Sequence, residues 1–196
     1  KNESEQDDLQ LISDNDGAEQ FTRGFTVKGE YDAWINTINN LYGYTPVMAM
    51  LFSSFVSPLL EILEINGFSV DLAYTTSKGK TIALRVAASV WGNPDESSPD
   101  AIVCSWNATP VWIERTASLL RGLPMFLDDT KLAGSGSYKD GAKEKVTTTL
   151  YQISNGKGRG RGSIDGTQST EAWRLVMLST GEEAAIDFTT GKGGAQ

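Results

Sequence analysis

The chain has 196 residues, 39% of them hydrophobic and 21% charged, which allows one good-sized core, hardly two, and is ordinary for a globular protein. A single cysteine, Cys104, and no histidine exclude an internal disulfide and the usual zinc sites and point to no oxidising compartment, so a cytoplasmic location is expected. The net charge of −8 is mostly local: residues 1–20 hold seven acids (Glu3, Glu5, Asp7, Asp8, Asp14, Asp16, Glu19) against Lys1, leaving the rest near −2.

Residues 1–20, charged, aperiodic and without aromatics, are expected to form an acidic linker or tail. Lys1-Asn2-Glu3 offers neither an initiator methionine nor an apolar signal region, so an excised or processed piece of a longer protein is expected. Phe21 to Glu30 predicts a short strand or hairpin, with Gly24 and Gly29 as its turn residues. Trp34, Ile35, Ile38 and Leu41 recur at helical spacing over residues 31–41. The apolar run 46–63 holds three serines, Pro58 and Glu61. A bilayer span needs about 20 apolar residues, so this run is expected as one long buried helix, capped by Thr45, opened by Pro46 and ending near Asn66-Gly67. Residues 21–66 thus form a lead-in to a core spanning 67–196.

Within the core, strands are expected at Phe68–Ala73, Ala101–Trp106, Pro124–Leu127 and Trp173–Leu178, and helices at 80–91, 110–121 and 141–154. Strands alternating with helices of about 10–15 residues predict an α/β protein: three αβα layers around a mostly parallel sheet, preceded by a helical segment. The glycine-rich stretches 155–166 and 189–196 are loops by composition. The five tryptophans, and Cys104 in its predicted strand, are expected as core or interface fillers.

Between the first strand and its helix lies Tyr74-Thr75-Thr76-Ser77-Lys78-Gly79-Lys80-Thr81, the strand–turn–helix context of a phosphate-binding loop, or P-loop. Backbone N–H groups from Thr75, Thr76, Ser77, Lys78, Gly79, Lys80, Thr81 and Ile82 would curl around phosphate oxygens at a helix N-terminus. Lys80 would reach the β- and γ-phosphates of ATP, and Thr81 would offer its hydroxyl to Mg2+. Tyr74 stands where the GxxxxGK(S/T) pattern has its first glycine. The alternative is an ordinary strand–turn–helix with an exposed lysine.

The strand Met125-Phe126-Leu127 runs into Asp128-Asp129-Thr130. In P-loop ATPases such a strand lies beside the phosphate loop, so Asp128 is expected to hold magnesium with Thr81 and Asp129 to orient water. The strand ending in Ser179-Thr180-Gly181-Glu182 is expected next to it, with Thr180, and Ser179 second, sensing the γ-phosphate. Strands simply entering polar turns would look the same.

Asn155-Gly156-Lys157-Gly158-Arg159-Gly160-Arg161-Gly162 sets three cations within five residues. Glycines clear space for a polyanion, and arginine matches phosphate geometry. The loop is expected near the nucleotide-bearing face. Lys157, Arg159 and Arg161 would contact the DNA backbone or lend an arginine to a neighbouring subunit's ATP; a solvated loop is the plain alternative. Arg115 and Arg121 are expected as surface or sheet-edge charges.

The run Thr76-Ser77-Lys78-Gly79-Lys80-Thr81-Ile82-Ala83-Leu84-Arg85-Val86-Ala87-Ala88-Ser89-Val90-Trp91-Gly92 closely resembles the phosphate-loop segment of domain-of-unknown-function family 927. So do Trp106-Asn107-Ala108-Thr109-Pro110, Leu127-Asp128-Asp129-Thr130, the Gly156–Arg161 loop and Leu178-Ser179-Thr180-Gly181-Glu182, a likeness over roughly residues 31–196. That family occurs in phage, plasmid and genomic-island proteins, and some members look like AAA+ helicases related to the MCM group, working as hexamers on DNA. The resemblance implies a RecA/AAA+-like P-loop ATPase using ATP and Mg2+, acting on single-stranded DNA as a hexameric homo-oligomer in mobile-element replication. It carries over onto Gly79, Lys80, Thr81, Asp128 and Asp129, and extends to Thr180 and the basic loop. Tyr74 departs from the family's loop glycine, and the chain stops at Gly193-Gly194-Ala195-Gln196, where such proteins would continue to an arginine finger and a C-terminal lid. A nucleotide-binding assembly module without hydrolysis is the alternative; a small-molecule kinase is disfavoured because no acceptor-binding lid is evident.

Overall fold

The structure, a computed structural model, describes residues 16–75, 79–134, 139–160, 162–163, 166–167 and 170–189. Its centre is a four-stranded, all-parallel sheet made of β1 (Phe68–Ala73), β2 (Val103–Ser105), β3 (Met125–Asp128) and β6 (Val176–Gly181), in the order β1-β6-β3-β2. Two further short strands, β4 (Gly162–Ser163) and β5 (Gly166–Thr167), pair antiparallel apart from it. Strand β6 therefore stands next to the acidic strand β3 and separates it from β1.

Period-2 alternation decides which helices cover which face. Met125, Leu127, Leu175 and Met177 pack with Ile113, Ala117 and Leu120 of α6 (Pro110–Leu120) and with Val146 and Ile153 of α7 (Lys139–Asn155). Phe126, Val176 and Leu178 pack on the other side with Met50 of α3 (Thr45–Val56), Leu60 of α4 (Leu59–Ile62) and Ala83, Leu84 and Ala87 of α5 (Lys80–Ala88). Three layers result. The alanines let α5 settle close on the sheet. Helix α6 opens as its sequence dictates: Thr109 caps it, its Oγ1 accepting from the Trp112 N–H at 3.2 Å, and Pro110 follows.

Several elements differ from expectation. Residues 16–23 form helix α1 (Asp16–Arg23) where a linker and the start of a strand or hairpin were expected. Phe21 is buried edge-on against Phe25 and Trp112, with ring centroids 5.6 and 6.2 Å apart, and this tertiary packing overrides the weak local pattern. Helix α2 (Tyr31–Leu41) matches its periodic run. The expected long helix breaks at Ser57-Pro58, since proline has no N–H to continue the ladder. Tyr44, not Thr45, occupies the cap position. The freed Ser57 hydroxyl accepts from the Val176 N–H at 2.9 Å, tying α3 to the start of β6. Strand β6 itself begins three residues later than predicted, which puts Ser179, Thr180 and Gly181 inside the sheet. Among the described residues no helix is long and apolar enough to cross a membrane.

Cys104 is packed against the core, and burial pushes its thiol up to about 12. It is expected to stay inert to a disulfide reagent such as DTNB at pH 8 until denaturant is added; reaction of the folded chain would contradict this packing. Gly67 is the point where β1, α7 and β6 converge, and a methyl there would stand 2.7 Å from the carbonyl oxygens of Ile153 and Leu175. Gly67→Ala is expected to lower the unfolding free energy by about 1–3 kcal/mol in denaturant titrations.

Candidate functional site

A parallel sheet directs all its strand C-termini to one edge, and the side chains that end those strands meet there. From β1 the chain passes through a loop to Gly79, which adopts φ +79° at the cap of α5 with nothing within 4 Å of where a Cβ would stand. The glycine is required by that backbone angle, and the space outside it is open. The Lys80 ammonium turns back over the loop, donating to the carbonyls of Tyr74 at 2.7 Å and Thr75 at 3.1 Å. Tyr74 is exposed, and its N–H donates to the Gly181 carbonyl at 3.1 Å, which extends the β1–β6 ladder by one rung. Ile82, also among the expected loop contacts, is exposed on the first turn of α5. Thr76, Ser77, Lys78 and Arg161 lie outside the described residues, as do residues 1–15 of the acidic segment.

Asp128, on the α5 side of β3, is the meeting point. The Thr81 hydroxyl reaches both its carboxylate oxygens, at 3.3 and 3.0 Å. The buried Thr180 hydroxyl donates to its Oδ1 and accepts from the Asp129 N–H at 3.2 Å. The structure thus brings Thr81, Asp128, Asp129 and Thr180 together from three elements. Ser179 is directed to the opposite face, where it accepts from Trp106 Nε1 at 2.9 Å, so it does not join them. Asp129 sits at φ +60°, an angle side chains rarely adopt, and its Oδ1 accepts from the Lys131 N–H at 3.1 Å. Lys131 in turn pairs with Glu182, joining the turns after β3 and β6.

Three residues were missed by sequence reasoning. Glu96, in the loop between α5 and β2, faces Asp128: burial, then the Asp128 charge, raises its carboxyl above the ordinary range. Its neighbour Asp95 lies 3.8 Å from Arg85, one turn below Thr81 on α5, so that loop folds back against the site. Lys145 of α7 donates to the carbonyls of Trp106 at 2.7 Å and Ala133 at 3.3 Å, and burial lowers its pKa. Asp71 of β1 accepts from the Ala185 N–H at 2.8 Å, and burial raises its carboxyl despite that bond. None of the three belongs to a motif; a lone acid in a strand was the only signal for Asp71.

The described part of the basic loop, residues 155–160, is not near this edge. Helix α7 carries the chain back across the sheet, so Ile153 and Leu175 flank Gly67 at the N-terminal end of β1. Residues 156–158 then pair antiparallel with 171–173: Lys157 bridges Ala172, Gly158 N–H donates to the Glu171 carbonyl, and Trp173 N–H to the Gly156 carbonyl. Lys157 and Arg159 are exposed at this root, opposite the edge that holds Asp128.

Fold and site together describe an α/β domain with an acid–hydroxyl cluster at the C-terminal edge of a parallel sheet. The chain belongs to the family described as domain of unknown function (DUF927), whose pattern matches residues 2–173. Among solved structures it is similar to SCCmec type IV Cch, described as an active helicase, at a TM-score of 0.63 and 26% identity. The likeness covers 84% of this chain but 29% of that one, so the chain spans less than a third of that helicase's length. No curated protein matches.

The Thr180 hydroxyl serves Asp128 and the Asp129 amide at once. Thr180→Val is expected to cost roughly 1–3 kcal/mol of stability by leaving both short of a partner, and Thr180→Ser to restore it. Urea titration at pH 7 compares them; equal stability of all three forms would remove the cluster's structural weight.

Proposed function

We propose that this chain is a P-loop ATPase core of RecA/AAA+-like architecture that binds ATP with Mg2+ and drives a helicase-like motor on DNA, as part of a mobile-element or phage replication protein. The observation that carries this is the Thr81–Asp128–Thr180 cluster set directly beside the Gly79–Lys80 turn. The residues fit ATP and Mg2+. The donor set is oxygen only, as magnesium prefers, and the Gly79 turn opens onto free space at the helix N-terminus. Thr81 and Asp128 would hold Mg2+, which would offset phosphate charge. Lys80 would exchange its two loop carbonyls for phosphate oxygens. Thr180, already bonded to Asp128 and the Asp129 amide, would fix the acid's orientation, and Asp129 would leave the Lys131 amide to orient water. The β1-β6-β3-β2 order and the likeness to an active helicase support the same reading.

Lys157, Arg159 and Arg161 would contact the single-stranded DNA backbone, and the full protein would work as a homo-oligomeric ring, a hexamer, in the cytoplasm. A subunit's arginine would complete its neighbour's site. The layout of residues 67–196 as core after an N-terminal lead-in belongs to this proposal. A second reading, a nucleotide-binding assembly module without turnover, is favoured by one specific arrangement: Tyr74 at the loop's first position, Lys80 bound to the loop's own carbonyls, and Asp129 bound to its own turn.

Calorimetry with ATP separates these. Magnesium-dependent binding is expected. Lys80→Ala should weaken it by roughly 10- to 150-fold, the worth of about 1.5–3 kcal/mol of hydrogen bonding to a charged group. Binding with no turnover would favour the assembly module, and no binding at all would sink both.

A further inference from the structure

The antiparallel root at 156–158 and 171–173 has two unlike faces. One packs inward: Trp173 is buried, Ser118 of α6 donates to Glu171, and Gly158 lies so close to the buried Glu114 that a methyl there would come within 2.5 Å of its carboxylate. Glu114 also accepts from the Arg159 N–H at 3.3 Å, which fixes the backbone of the root. By period 2, the other face carries Lys157 and Arg159 on one strand and Ala172 and Arg174 on its partner. Lys157, Arg159 and Ala172 are exposed and Arg174 is half-buried, while on the inward face Trp173 is buried and Glu171 is exposed at its rim.

Arg174 is joined to one more cation. Its N–H donates to the carbonyl of Arg121 at 2.8 Å. Arg121 ends α6 at φ 55°, ψ −78°, in the left-handed half of backbone space that glycine takes freely and arginine only with strain. The next residue is Gly122, and it does not take the positive φ. Chain reversal therefore falls on a long cationic side chain when a glycine stood one position away, and that side chain is exposed. Strain kept at a residue that does not relieve it points to a role for the side chain. Among the described residues, Arg121, Lys157, Arg159 and Arg174 have no carboxylate within ion-pairing distance, in a chain whose net charge is −8.

We propose that Arg121 and Arg174 extend the cationic hairpin root into one phosphate-binding strip along the N-terminal edge of the sheet, which takes the backbone of single-stranded DNA. This rests on the nucleic-acid part of the function proposed above and adds two cations that the basic glycine loop does not contain. Arginine suits the task through its planar fork of donors, and backbone recognition of this kind carries no base preference.

The test is fluorescence anisotropy with a labelled 30-residue oligothymidylate, titrated at several salt concentrations, on the whole chain. Each phosphate of a single strand that a variant no longer neutralises flattens the plot of log affinity against log salt by about 0.7. R121Q/R174Q is expected to flatten it by about 1.4, and R121K/R174K to keep the wild-type slope. Arg121→Gly supplies the control for folding. It relieves the backbone strain, so its melting temperature should equal or exceed that of wild type while its slope flattens by about 0.7. If R121Q/R174Q leaves the slope unchanged while K157Q/R159Q flattens it, the strip is overturned and the hairpin's nucleic-acid role stands. If the wild-type chain binds no oligonucleotide, or if both double variants bind as wild type does, both ideas are overturned.

Discussion

The Asp128 carboxylate holds the rest of the site in place, because hydroxyls from two other elements converge on it. Thr81 comes from the first turn of α5 and Thr180 from the end of β6. Hydrogen bonds to a charged group are worth about 1.5–3 kcal/mol each, and these join pieces of chain 47 and 52 residues apart. The geometry needs β6 between β1 and β3. With that order the strand bearing Thr180 is hydrogen-bonded both to the strand that enters the Gly79 turn and to the strand that ends in Asp128. A different order would separate the hydroxyl from the acid.

The same strand is anchored from behind. Alternation sends Thr180 toward α5 and Ser179 toward α7, where the buried indole of Trp106 donates to it. Lys145 binds the Trp106 carbonyl and the Ala133 carbonyl, so the end of β2 and the 3-10 helix at Thr130–Gly134 are tied to α7. Polar residues on the two sides of β6 thus have separate work. Thr180 orients the acid, and Ser179 and Lys145 hold the scaffold that keeps the strand ends level.

Much of this was legible in the residues. The alternation of strand and helix, the Gly79 turn and the acidic end of β3 all follow from local pattern, which needs only neighbouring residues to be right; the hydrogen bond between Thr180 and that acid, 52 residues apart, does not. What was not legible depends on residues far apart in sequence. Strand order is one such case: nothing local to Val176–Gly181 says that it lies inside β1 and β3. Helix α1 is another, since its formation rests on Phe21 meeting Trp112. The three-residue offset of β6 arises because Trp173 and Leu175 are as apolar as the strand itself and serve in the core before the ladder begins. Glu96 reaches Asp128 only because its loop folds back along α5. Residues 155–160 of the basic loop lie at the other edge for a related reason: α7, 17 residues long, returns the chain across the sheet before the cations begin.

The position of the cationic root decides how the molecule's two edges are connected. The acid–hydroxyl cluster and the cationic root sit on opposite edges. Helices α6 and α7 cross between those edges on one face, and strand β6 crosses within the sheet. Strand β6 begins two residues after Arg174 and ends one past Thr180; at about 3.3 Å per residue Arg174 and Thr180 stand roughly 20 Å apart along an extended chain. A strand buried on both faces and bonded on both sides is stiff, and its start is pinned by the Ser57 hydroxyl. If a polyanion binds at one edge and chemistry proceeds at the other, as proposed, β6 is a continuous covalent path between them, and the Ser57 hydroxyl holds its start.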